Sequence, residues 1–203
     1  MSFRVTGIGE VLWDLLPEGR RLGGAPTNFA CHCKALGAQS SIVSAIGNDA
    51  EGREIMELLE EREFQLDTIS LSELPLAQRS ARSRQAIVSL VRSSSAKALR
   101  ISDVNLRQRY YSSDLLGESC GLANVLKLNE EELPIVSAAA GIDFGSERKK
   151  IEVMALQFDI NVVAVTRGDR GSLLFSAGNW SEVSGLPVEV RDTVGAGDSF
   201  LAG

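Results

Sequence analysis

Short apolar or β-branched runs alternate along the chain with stretches whose apolar residues recur at helical spacing. Residues 5–8, 41–45, 67–69, 99–104, 125–128 and 162–166 read as strands. Helices are predicted between them. One covers 26–36 and closes at Gly37, and one covers 51–62 with Ile55, Leu58 and Leu59 on one side. Two more cover 85–91 and 146–158, the latter carrying Ile151, Met154, Ala155 and Phe158. Such a βα alternation packs as an α/β fold: a mostly parallel sheet covered on both faces, with ligands beyond the carboxyl ends of the strands. Near the end, residues 173–175 and 180–183 flank Ala177-Gly178-Asn179 and predict a hairpin, so part of the sheet turns antiparallel. Residues 70–84 show no clear element.

Composition narrows the class. With 203 residues, 44% hydrophobic and 24% charged, the chain suits one large domain, or one domain with a small appendage. The net charge of −6 and the acidic run over 51–63 leave no basic face for nucleic acid or anionic lipid, so small molecules are the expected partners. No apolar run reaches the length of a membrane span. Met1-Ser2-Phe3-Arg4-Val5 leads into a strand and does not read as a signal peptide, so a cytoplasmic setting is expected. Cys31, Cys33 and Cys120 lack the paired spacing of a zinc site or a disulfide framework and read as free thiols. Cys31-His32-Cys33 falls on a predicted helix, where side chains two apart diverge, which argues against a shared metal. His32 is the only histidine, and nothing near it suggests a nucleophile on a strained turn.

The strongest chemical signal lies in Asp192-Thr193-Val194-Gly195-Ala196-Gly197-Asp198. Small residues at a helix start let the N–H groups of 195–198 form an anion nest. An acid beside an anion site is unfavourable unless it takes a proton from an attacking hydroxyl, the arrangement phosphoryl transfer needs. An ordinary Gly-rich turn is the bland alternative. No Gly-x-x-x-x-Gly-Lys-Ser/Thr occurs, and no Gly-x-Gly-x-x-Gly follows the first strand, so neither a P-loop nor a dinucleotide site is expected. Gly9, Glu10 and Asp14 follow the first strand, and Gly23-Gly24-Ala25-Pro26-Thr27-Asn28 opens a helix. Asp14 and Asn28 there could bond adjacent hydroxyls, or the segment is a turn and a helix cap. Asn129-Glu130-Glu131-Glu132 fits a capping box with Asn as the cap, and equally a magnesium held through waters, with Lys127 just upstream. Thr166-Arg167-Gly168-Asp169-Arg170-Gly171 is a glycine-bounded turn.

Taken together and in this order, the motifs resemble the ribokinase-like, or PfkB, carbohydrate kinases. The family's two signatures look like residues 23–37 and 192–202. Its Asn-x-x-Glu and Thr-x-Gly-x-x-Gly motifs match Asn129 with Glu132, and Thr166 with Gly168 and Gly171. Gly23 to Asn28 and Asp103-Val104-Asn105-Leu106-Arg107 look like the fructokinase branch. The resemblance implies a three-layer α/β/α sandwich with a small β lid, and an ATP-dependent sugar kinase using magnesium. It implies Asp198 as base and the Gly195, Ala196 and Gly197 N–H groups on the transferring phosphoryl group. Asp14, Gly23, Gly24, Asn28 and Arg107 would hold the sugar, with Lys127 near the phosphate path. Asn129 and Glu132 would position magnesium through water, with Thr166, Gly168 and Gly171 beside the nucleotide. Asp192 and the Val194 backbone match a monovalent-cation loop, with potassium as its candidate ion. Homodimers are common among such kinases, often through the lid sheet.

The sequence departs from the pattern in two places. Residues 1–203 read as a single ribokinase-like domain in which the lid segment expected near 70–76 is largely missing. The segment expected after 203, including the body of the helix that carries the nest, is also missing. Three functions are carried forward: a fructokinase; a kinase for another sugar, a sugar acid or a nucleoside; and a non-catalytic sugar-binding relative or fragment. Intact Asp198, Asn129 and Glu132 argue against the third.

Overall fold

A computed structural model describes residues 3–17, 19–72, 81–106, 111–187 and 195–203. The chain divides into two compact units, Met1–Leu90 with Arg191–Gly203, and Val91–Val190.

In the first unit, β1 (Arg4–Ile8), β4 (Gln39–Gly47) and β5 (Ile69–Ser72) form a parallel sheet in the order β1-β4-β5. The central strand, β4, buries Ile42 and Ile46. Helix α1 (Ala25–Ala35) packs on β1 and β4, and α2 (Ala50–Glu61) packs on β4 and buries Ile55 and Leu59. Asp49 starts α2 by accepting the Gly52 N–H at 2.8 Å. Between β1 and α1, a hairpin of β2 (Leu12–Leu16) and β3 (Gly19–Gly23) forms a separate two-stranded antiparallel sheet. Its Arg20 lies over Trp13, 4.5 Å from the ring centroid, and pairs with Glu54 and Glu51 of α2.

In the second unit, five strands run in the order β10-β9-β8-β7-β6. β6 (Ile101–Asp103), β7 (Val125–Asn129) and β8 (Val162–Thr166) are parallel, and β9 (Ser172–Ser176) and β10 (Asn179–Val183) add the antiparallel hairpin. Leu126, Leu128, Val163, Val165 and Leu173 make a continuous core with Leu133 and Val136 of α5 (Glu132–Ala139) and with Ile151 and Met154 of α6 (Glu147–Gln157). Helix α4 (Ser113–Leu122), capped by Ser112, adds Leu116 and Cys120. Helix α3 covers Ala81–Ser93.

Several boundaries differ from the sequence reading. The strand expected over 67–69 lies at Ile69–Ser72, that expected over 99–104 shortens to Ile101–Asp103, and the helix expected over 85–91 extends to Ala81–Ser93. Asp14, read only as following the first strand, lies on a second strand, β2. The start of the helix that carries the nest forms as α7 (Ala196–Ala202). Cys31, Cys33 and Cys120 are free thiols. No described helix is long and apolar enough to cross a membrane.

Candidate active site

The first unit brings the glycine-rich helix start and the terminal motif together. Gly24 stands at φ +101° at the N-terminus of α1, where a side chain would strike the Glu10 carbonyl, 2.4 Å from an added Cβ. That close approach is locked by Thr27, 1% exposed, whose hydroxyl donates to the same carbonyl at 3.3 Å. One turn into α1, Asn28 donates from Nδ2 to Oδ2 of Asp198 at 3.0 Å, across 170 residues of sequence. Asp198 is 8% exposed and sits in the first turn of α7, behind Gly195 at φ +75°. No cation among the described residues pairs with its carboxylate. A neutral amide donor orients the carboxylate yet leaves it acceptor capacity, as a general base requires. The first-turn N–H groups of α7 have no partner within the helix and suit an anion. Across the β2–β3 hairpin, the Asp14 carboxylate lies over Gly23, where an added Cβ would be 2.0 Å from Oδ2. The structure therefore pairs Asp14 with Gly23, and gathers Gly24, Asn28, Gly195 and Asp198.

In the second unit, Asn129 and Thr166 are the last residues of neighbouring parallel strands and are partners in register. The capping box forms as expected. Asn129 Oδ1 accepts the N–H groups of Glu131 and Glu132, each at 2.9 Å, and Glu132 Oε2 accepts the Asn129 N–H at 2.8 Å. The Glu130 N–H donates to the Thr166 carbonyl at 3.0 Å, and Arg170 pairs with Glu130, so the turns after β7 and β8 are tied together. The latter is a single 3₁₀ turn over Gly168–Arg170 that ends at Gly171, φ +91°. An added Cβ at Gly171 would lie 1.9 Å from the Val183 carbonyl, so the chain leaving β10 packs directly on this turn. Arg167 points back into the fold, with its guanidinium on Glu182 at 2.8 Å and Glu147 at 3.4 Å. Its hydrogen bond, followed by its charge, holds the Glu182 carboxyl below the usual carboxylate range, and Arg148 adds to the effect.

Lys127 does not stand free toward a ligand. Its ammonium meets both Asp103 oxygens at 2.9 and 3.0 Å, in a pair whose side chains are 9% and 13% exposed. The sequence marked Asp103 only as part of the stretch that looks like the fructokinase branch, with no role of its own; it is the last residue of β6 and the register partner of Lys127 in the middle of β7. Arg107, Asp192 and Val194 lie outside the described residues. Among the described residues no group of three or more His, Cys, Asp or Glu side chains could hold a metal ion.

Residues 76–203, more than half of the chain, match the profile described as pfkB family carbohydrate kinase. The chain belongs to this family. It is thus an ATP-dependent carbohydrate kinase by descent. The fructokinase of Salmonella typhimurium is 26% identical over 261 residues, covering all of this chain and 83% of that protein. A fructokinase from Vibrio cholerae O395, solved with fructose, ADP and calcium ion bound, superposes with a TM-score of 0.84 at 23% identity, covering 99% of this chain and 82% of that one. An aminoimidazole riboside kinase from Salmonella enterica, solved with aminoimidazole riboside and an ATP analogue, gives 0.81 at 20% identity, covering 98% and 82%. The fold of this pfkB kinase is the ribokinase-like α/β fold.

Proposed function

We propose that this pfkB kinase transfers the γ-phosphate of ATP to a primary hydroxyl of fructose. The observation that carries the mechanism is the Asn28–Asp198 contact, which joins the motif assigned to the sugar with the motif assigned to phosphoryl transfer. Asp198 accepts the proton of the attacking hydroxyl, with its carboxylate oriented by the Asn28 amide. The N–H groups of Gly195, Ala196 and Gly197 stabilise charge on the transferring phosphoryl group. Asp14, Gly23, Gly24, Asn28 and Arg107 hold the sugar, and Thr166, Gly168 and Gly171 lie beside the nucleotide. Lys127, paired with Asp103, lies near the phosphate path. Magnesium, when bound, would neutralise charge on the phosphates, and the turn that Asn129 opens after β7 would face its water shell. Asp192 and the Val194 backbone would hold a monovalent cation, with potassium as the candidate. The short joint near 70–76 leaves the domain with little of its lid.

Fructose as acceptor is supported by the fructokinases among the relatives. A ribosyl acceptor is the second reading, supported by the fold likeness to the riboside kinase. Magnesium-dependent ADP release measured with fructose, ribose, a 2-keto-3-deoxy sugar acid and ribonucleosides separates them. The proposal expects the highest kcat/KM with fructose, and a nucleoside or sugar acid at the top of the panel contradicts it.

A further inference from the structure

Glu132 is buried, 6% exposed, and each of its carboxylate oxygens takes one backbone N–H. Oε2 accepts from Asn129 at 2.8 Å, which closes the capping turn after β7. Oε1 accepts from Leu106 at 2.9 Å, on the segment leaving β6. A cap needs only the first bond. The second belongs to a set of ties that hold the Asp103–Leu106 segment against β7. The Val104 N–H donates to the Lys127 carbonyl at 3.1 Å, and the Asp103 carboxylate grips the Lys127 ammonium. Between those ties Asn105 turns at φ +39°, a region asparagine tolerates better than most residues. Only a carboxylate offers two acceptor oxygens on one short planar group, so one side chain can serve two amides facing it from different strand exits.

From these contacts we infer that Glu132 is a positioning residue, whose carboxylate pins the segment after β6 to the turn after β7 and does not order magnesium's water shell. The inference deepens the reading of this turn as the magnesium side of the site, and rests on it. Both oxygens are engaged by amides and the side chain is nearly sealed from solvent, so the group is aimed into the protein. Gln at this position keeps the shape and one acceptor oxygen, and turns an N–H toward the second amide.

The test is amide hydrogen exchange resolved to single residues, with calorimetric titration of magnesium-ADP on the same proteins. In the wild type without magnesium or nucleotide, the Leu106 and Asn129 amides are expected to be protected. In Glu132→Gln at least one of them exchanges about tenfold faster or more, while the amides of Val163 and Val165 are unchanged. The magnesium concentration that half-saturates ADP binding stays within about twofold of wild type, because no metal-facing group has been lost. Unchanged protection at both amides, or a half-saturating magnesium concentration about tenfold higher, overturns the inference. Should Glu132→Gln fail to fold, the wild type still decides: a Leu106 amide that exchanges like an open chain overturns the tie, and a protected one supports it. A wild type that binds no magnesium-ADP defeats the reading of the turn, while the exchange data judge the tie separately.

Discussion

Asn28 holds Asp198 by one amide N–H, with no cation on the carboxylate among the described residues, and the orientation of the proposed base depends on that bond. Asn28→Ala removes it, and the expected result is a loss of about tenfold or more in kcat/KM, the usual scale for a hydrogen bond to a charged group. Steady-state rates with the preferred acceptor check this, and an unchanged kcat/KM would show that Asp198 is held by other means. Cys120 makes a different point at the same scale. It is 2% exposed, and burial pushes its thiol up to about 11. Native protein at pH 8 should leave Cys120 unmodified by iodoacetamide, while denatured protein labels it, as read by peptide mass spectrometry. Cys120 favours the folded state fully below the thiol range of an open chain, and that contribution is lost as pH rises toward about 11.

At the scale of elements, the turn after β8 depends on the absence of a side chain at Gly171, where both the positive φ and the Val183 carbonyl exclude one. Gly171→Ala should cost about 2 kcal/mol or more in unfolding free energy, combining strain with a displaced contact, and should raise the KM for ATP more than that for sugar. Denaturant melts and a KM comparison test it; a variant as stable as wild type would mean that the β10 exit is free to move away. This turn and β8 itself were legible in the sequence, because Val162 to Thr166 is β-branched at every position but Ala164 and the turn that follows carries Gly168 and Gly171. The β2–β3 hairpin was not. Its second strand, Gly19-Arg20-Arg21-Leu22-Gly23, has no β-branched residue, and Leu15 on the first is 83% exposed, so the pair carries little of the alternation that marks a half-buried sheet. The body of helix α5 was also hidden beyond its Asn129 cap, since Leu133-Pro134-Ile135-Val136 is a continuous apolar run with no helical period. In the site, the motif residues were readable but their partners were not. The Asp103–Lys127 pair needs the strand register, the Leu106–Glu132 bond needs the loop path, and Arg167 turns toward Glu182 and Glu147.

At the scale of the whole molecule, the alignment with the Salmonella fructokinase runs over 261 residues while this chain has 203, so the relative carries stretches with no counterpart here. On the proposal that one of them is the lid, water is excluded poorly from the transferring phosphate. ADP release without any sugar should then reach about one hundredth or more of the sugar-dependent rate, and a value about a hundredfold below that would indicate a site that still closes. The central claim is that this pfkB kinase works through Asp198 as base. Its most direct test compares sugar-dependent ADP release by wild type and Asp198→Ala, with calorimetric sugar binding measured on both. With Asp198 as base, Asp198→Ala loses at least about a hundredfold in kcat, with sugar affinity within about threefold of wild type. A variant that turns over at close to the wild-type rate would contradict it.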